Sequence, residues 1–213
     1  MLEKMDLFFE ARLDGYEEHM RTGIEGAQEF YPFTAGQLPE GHILDLGCGT
    51  GLELDAYFSA HPAGKVTGID LSAGMLNRLK EKFPEKALHL VLGSYFDVPL
   101  GEAAFDAAVS VESLHHFPQA QKTALYAKLH RALKPGGYFI LTDYFAPDDA
   151  YEAFYFQELR RLKTEQGITG GEFYHYDTPL TVAHEMQALT DAGFTRVEIL
   201  KNWGATYTLK AEK

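Results

Sequence analysis

The chain of 213 residues carries 31 acidic and 19 basic side chains, a net charge of −12, with 46% hydrophobic and 23% charged content. Such a length accommodates one large α/β domain with a substantial core, and no unbroken apolar run is long enough to span a membrane. The negative balance disfavours bulk nucleic-acid binding, which needs Lys and Arg against phosphate; the single cysteine, Cys48, excludes an internal disulfide or a cysteine-rich zinc site.

In chain order, MLEKMDLFFEARLDGYEEHM has charges from Glu3 onward and no apolar leader, which predicts no signal peptide and a cytoplasmic location. Helical patterns over roughly 4–20 and 24–37 precede a first strand, HILDL. KVTGID, ALHLVL, FDAAVSV and GYFILTDY read as the next four strands. After the second, Ser72 is an N-cap candidate and Met75, Leu76, Leu79 and Phe83 share a helical face. After the fourth, Leu125, Leu129, Ala132 and Leu133 form another stripe, which KPGG at 134–137 stops. This alternation predicts a parallel sheet covered by helices on both faces. FTRVEIL and ATYTLKAEK, joined by the short KNWG, predict an antiparallel hairpin at one edge.

Nine aromatic residues lie between Tyr144 and Tyr176. The 151–156 cluster is expected in the core, and FYHY at 173–176, after Gly170 and Gly171, is expected to line a pocket on a mobile loop.

The stretch ILDLGCGTGLEL concentrates the chemistry. Gly47, Gly49 and Gly51 follow a strand and open a helix, where backbone N–H groups face a ligand at the carboxyl end of the sheet. Asp70 ends the second strand, at a spacing suited to a ribose diol, so the pattern favours an adenosine-containing cofactor over a structural turn. A dinucleotide loop asks for glycine at the sixth position, which here is Leu52, and this demotes a nicotinamide cofactor.

Taken together these residues resemble the class I S-adenosylmethionine-dependent methyltransferases, of the small-molecule type similar to the quinone-biosynthesis enzymes. ILDLGCGTG is similar to their first motif, GIDLS to the acidic end of their second strand, FDAAVSVESLHHF to their fourth strand and LKPGGYFILTDY to their fifth, over about residues 40–213. The resemblance implies a Rossmann-like, doubly wound, seven-stranded, mainly parallel sheet with an antiparallel C-terminal hairpin strand. One domain over 1–213 is then expected, with cap helices over 1–39, a cofactor-binding core over 40–213 and a substrate lid at about 146–180. It further implies S-adenosylmethionine as cofactor, its methionine end held by Asp45 and the backbone from Gly47 through Cys48 and Gly49 to Gly51, and its ribose by Asp70. Leu71, Ser94, Tyr95 and Val111 complete the expected cofactor site. Ser94 stands where relatives carry an acidic residue for the adenine amino group, a weaker acceptor that Asp97 replaces if the loop folds back.

The expected function is methyl transfer by in-line displacement to a small-molecule acceptor, with a nicotinamide-dependent oxidoreductase or a non-catalytic cofactor-binding regulator as the alternatives. His115, His116, Asp143 and His175 are the candidate acid–base groups, although LHHF equally suits packing of the next helix. Tyr16, Met20, Tyr144, Tyr174 and His175 are the candidate acceptor contacts. No metal is expected, because no partner shows ligand spacing near the His pair. Nothing in the sequence fixes an oligomeric state.

Overall fold

The computed structural model describes residues 1–213. Its centre is a seven-stranded sheet built from β1 (His42–Leu46), β2 (Lys65–Asp70), β3 (Ala87–Leu92), β4 (Phe105–Val111), β5 (Leu133–Tyr144), β6 (Arg196–Trp203) and β7 (Thr206–Glu212), in the order β3-β2-β1-β4-β5-β7-β6. The first five are parallel; β7 inserts antiparallel against β5, and β6 pairs with β7 to form the edge. This is the doubly wound α/β architecture with the antiparallel close that the sequence predicts, except that β5 begins at Leu133, directly where the preceding helix ends.

Period-two alternation decides what each face buries. In β1, Leu44 and Leu46 join a 23-residue apolar cluster while Ile43, with the opposite orientation, joins an 18-residue cluster on the other face. Helices α4 (Leu54–Ala60), α5 (Ala73–Lys82), α6 (Gln119–Ala132), α7 (Asp149–Glu165) and α8 (Val182–Asp191) complete the core, preceded by α1 (Met5–Ala11), α2 (Tyr16–Gly23) and α3 (Ala27–Ala35). Ser72 caps α5 by accepting from the Met75 amide at 3.1 Å. Leu125, Leu129 and Ala132 of α6 are buried on the predicted stripe.

Two expectations require correction. The helix predicted over 4–20 is broken into α1 and α2, because Gly15 adopts a left-handed φ of +84° and starts a new helix. The aromatic cluster at 151–156 is not core: α7 contains no buried residue, and Phe154 is 55% exposed. Tyr151 and Tyr155 instead stack on each other, with ring centroids 4.5 Å apart.

Chain order around the sheet reverses at β1 and β4, and a crevice opens outside their carboxyl ends. Four strand ends converge there: the glycine loop after β1, Asp70 at the end of β2, Glu112 and Ser113 after β4, and Asp143 and Tyr144 ending β5. α1 and α2 lie across the same opening.

Candidate functional site

Gly47, Gly49 and Gly51 have φ values of +74°, +48° and +70°, a region that L side chains avoid. Their surroundings differ. A methyl group on Gly47 would collide with Ser113, and one on Gly51 with Leu79 of α5, so these two glycines allow elements to pack closely. Beside Gly49 there is open space, with the Tyr16 hydroxyl the nearest atom at 3.7 Å from where a Cβ would stand. Gly49 is therefore the position at which the loop leaves room for a ligand.

Asp70 fixes this loop. One carboxylate oxygen accepts from the Gly49 amide at 2.9 Å and the other from the Ser72 amide at 2.8 Å. Burial raises its pKa, and these amide donors oppose the shift. Each oxygen retains a second lone pair for a ribose hydroxyl.

Behind the loop, alternation along β1 places Asp45 on the face that α4 covers, where Glu53 precedes that helix; both are buried. Asp45 Oδ2, Glu53 Oε1 and Thr50 Oγ1 have no hydrogen-bond partner. Burial raises the pKa of Asp45 well above the ordinary carboxylate value, and the neighbouring Glu53 raises it further. A buried carboxylate pair with free acceptor atoms suits a cationic amine, and the glycine-loop amides suit a carboxylate, so the zwitterionic end of an amino-acid-derived cofactor matches this donor set.

The cleft itself is lined by Gly47, Gly49, Asp70, Leu71, Tyr95 and Val111 from the core and by Met5, Phe9 and Tyr16 from the cap. Its volume is only about 50 Å³, against roughly 300–1,000 Å³ for ligand sites in general. The three cap side chains fill its mouth.

The Cys48 side chain takes no part in the cleft, and the two expected adenine contacts lie elsewhere. Cys48 is buried with its sulfur packed against Gly68, and burial pushes its thiol pKa far up. Ser94 turns into its own loop, its hydroxyl accepting from the Phe96 amide at 3.1 Å, and it does not line the cleft. Asp97 is exposed, so the loop does not fold its carboxylate inward. A turn opens at Ser94, whose carbonyl accepts from the Asp97 and Val98 amides, both at 2.9 Å, and the Ser94 side chain faces this turn rather than the ligand space.

A second cavity of about 690 Å³ adjoins the cleft, sharing Phe9, Tyr16, Glu112 and His116 with it. Phe8, Met20, Ile24 and Tyr144 give it an apolar wall, while His115, His175 and Asp177 supply a polar end. Asp143 stands behind His115: its Oδ1 lies 2.5 Å from His115 Nδ1, and its Oδ2 accepts from the Leu114 amide at 2.9 Å. This fixes the imidazole with Nε2 turned toward Asp177 Oδ1, 3.6 Å away. His116 Nδ1 lies 3.2 Å from the same oxygen but is aligned on the Tyr176 carbonyl at 3.3 Å, which leaves Asp177 Oδ1 without an aligned donor.

Charges in this group are interdependent. Burial opposes a proton on His115, but the Asp143 carboxylate outweighs it and raises the pKa to about 9. Burial and the charge of His115 lower His116 to about 4. Glu112 is pushed up to about 8, by burial first and then by Asp143. Glu112 also holds φ +49°, a left-handed backbone unusual for a non-glycine residue, which costs of order 1–3 kcal/mol.

The segment at 173–176 pairs with the N-terminal segment through one isolated antiparallel bridge, Lys4 to Tyr174: the Met5 amide donates to the Phe173 carbonyl and the His175 amide to the Glu3 carbonyl, both at 3.0 Å. Alternation then separates its side chains. Phe173 packs against Phe96 and Phe117, and His175 stacks on Phe8 with ring centroids 3.5 Å apart. Tyr174 points the other way, donating to the exposed Glu172, and lines neither cavity. The expected acceptor contact at Tyr174 is thus corrected, while His175, Tyr16, Met20 and Tyr144 do line the larger cavity.

Sequence reasoning missed Glu112, Asp177 and Glu53. Glu112 carried a legible signal, a carboxylate immediately after the fourth strand; Asp177 reaches the His pair only through the path of its loop.

A doubly wound sheet with a glycine loop at its switch point and an inserted antiparallel strand defines an α/β protein built around an adenosine-type cofactor. Residues 43–137 match a family model described as a methyltransferase domain. The chain is similar to cycloartenol-C-24-methyltransferase of Arabidopsis thaliana, 31% identical over 83% of this chain and 51% of that protein. It is also similar to a sterol 24-C-methyltransferase of Gibberella zeae, 28% identical over 84% of this chain and 46% of that protein. The chain thus spans about half the length of these curated relatives. A crystal structure of an S-adenosylmethionine-dependent methyltransferase from Thermotoga maritima shares the fold, with a TM-score of 0.66 at 20% identity over 98% of this chain and 99% of that one. Residues 43–137 thus form a methyltransferase domain of the class I S-adenosylmethionine-dependent kind, and the cofactor of that kind is S-adenosylmethionine.

Proposed function

We propose that this protein methylates a small, largely apolar molecule with one polar end, held in the 690 Å³ cavity beside the glycine-loop cleft. The observation that carries the reading is the continuity of the two spaces: one wall, formed by Phe9, Tyr16, Glu112 and His116, serves both. When bound, the cofactor supplies a methyl group already activated on a sulfonium centre.

The protein's own part is position and exclusion of water. Asp45, Glu53 and the loop amides hold the amino-acid end, and Asp70 the ribose. Tyr16, at the partition, separates the two occupants. His115, braced by Asp143, receives the acceptor's polar group together with Tyr144 and Asp177, while Phe8, Met20 and Ile24 bury its apolar body. The sterol methyltransferases among the relatives support an apolar acceptor.

The test is methyl transfer from methyl-labelled cofactor into fractionated lipid-soluble and water-soluble metabolite pools. Label is expected in a lipid-soluble product. Calorimetric binding of the cofactor with no label entering either pool would instead make the protein a non-catalytic binder.

A further inference from the structure

We propose that His115, His116 and Asp177, with the carbonyl of Tyr176, form a binding site for one first-row divalent transition cation at the polar end of the acceptor cavity. The proposal rests on the methyltransferase reading only for what the cavity holds; the donor set stands independently of it.

The geometry supports it first. One donor atom each from His115, His116 and Asp177 lies within 4.8 Å of the other two. Asp177 Oδ1 is 3.6 Å from the first and 3.2 Å from the second, and the Tyr176 carbonyl is 3.3 Å from His116 Nδ1. Donors bound to one ion at about 2.0–2.2 Å stand roughly 2.9–3.5 Å apart, and these three separations are of that length to within about a tenth of an ångström.

The state of the donors supports it next. Asp177 Oδ1 is shielded from solvent and has no aligned hydrogen-bond donor, although the side chain as a whole is 42% exposed, so this one oxygen is free to take a cation between the two imidazoles. His115 carries the outer support typical of a ligating imidazole: its Nδ1 faces Asp143, itself fixed by the Leu114 and Tyr144 amides. Two imidazoles with oxygen donors select a zinc-, cobalt-, iron- or manganese-type ion over magnesium or calcium, which prefer all-oxygen shells. The remaining coordination positions face the 690 Å³ cavity, where an acceptor bearing an oxygen would find them.

The sequence gives no warning of this group, because Asp177 lies 61 residues beyond His116 and arrives by way of α7 and the following loop.

The experiment titrates cobalt(II) into chelator-treated protein and follows visible absorption, with isothermal calorimetry for stoichiometry. One ion per chain is expected. Asp177→Asn and His116→Gln should each weaken binding at least tenfold while keeping the melting temperature of the parent. The exposed His89→Gln should leave binding unchanged. Absence of saturable binding in the parent, or binding that neither Asp177→Asn nor His116→Gln weakens, overturns the site. S-adenosylmethionine affinity, measured on the same samples, separates the two readings: its loss from the parent protein with cobalt binding intact strikes the methyltransferase reading alone.

Discussion

Glu10 of α1 reaches across to Ser72 at the start of α5: its Oε2 accepts from the Ser72 hydroxyl at 2.8 Å and from the Gly74 amide at 3.1 Å. A cap helix thereby satisfies an orphan donor of a core helix and places a negative charge at its positive end. Ser72 is two residues from Asp70, so the same contact ties the cap to the cofactor cleft. Glu10→Ala should lower stability by about 1 kcal/mol and raise solvent exchange at the α1 amides selectively. Unchanged exchange in α1 would show that the cap is held elsewhere.

The three loop glycines should respond differently to alanine. Gly51→Ala drives a methyl group into Leu79 and should lower the melting temperature, whereas Gly49→Ala meets open space and should chiefly weaken cofactor binding. Gly49→Val should abolish binding with the sheet intact, since a branched residue is also disfavoured at φ +48°. Circular dichroism beside calorimetry reads the difference; equal loss of stability at both positions would contradict the division of roles.

Asp70→Ala removes the acceptor for a ribose diol and for the Gly49 and Ser72 amides together. Cofactor affinity should fall by about 1.5–3 kcal/mol, a rise in Kd of roughly ten- to 150-fold. A folded variant that binds with parental affinity would remove Asp70 from the site.

Tyr174 and His175 are adjacent in sequence and opposite in space. His175→Ala takes away a ring stacked on Phe8 in the cavity wall and should raise the KM for the acceptor severalfold, while Tyr174→Ala should leave turnover within twofold. An equal effect of the two substitutions on KM would mean that this segment turns over when the acceptor binds.

Away from the site, α6 and α8 are joined by a buried cluster in which Lys122 lies 2.6 Å from Glu185 and the Tyr126 hydroxyl donates to the same carboxylate. Lys122→Met strands the carboxylate in the core and should cost about 3–5 kcal/mol. Cofactor affinity, measured well below the melting temperature, should not change, because the cluster touches neither cavity.

What the sequence determined by itself is everything carried by local pattern. Apolar runs alternating with helical stripes dictate the sheet and its covering helices, since strand and helix periods are set by backbone geometry. Ser72 as a cap was legible because it acts within three residues of itself, and the glycine loop with its acidic strand end because each closes a strand that the pattern had already marked. The tertiary structure alone decided the rest. Whether an aromatic faces the core, a cavity or solvent depends on what packs opposite, and so the α7 aromatics lie at the surface, Tyr174 turns outward and His175 turns in. Asp177 beside the His pair, Asp143 behind His115 and Glu10 on Ser72 are contacts between residues 28 to 62 positions apart. No periodicity reports such distances, because they are fixed by where the sheet order reverses and by the paths the connecting segments take around it.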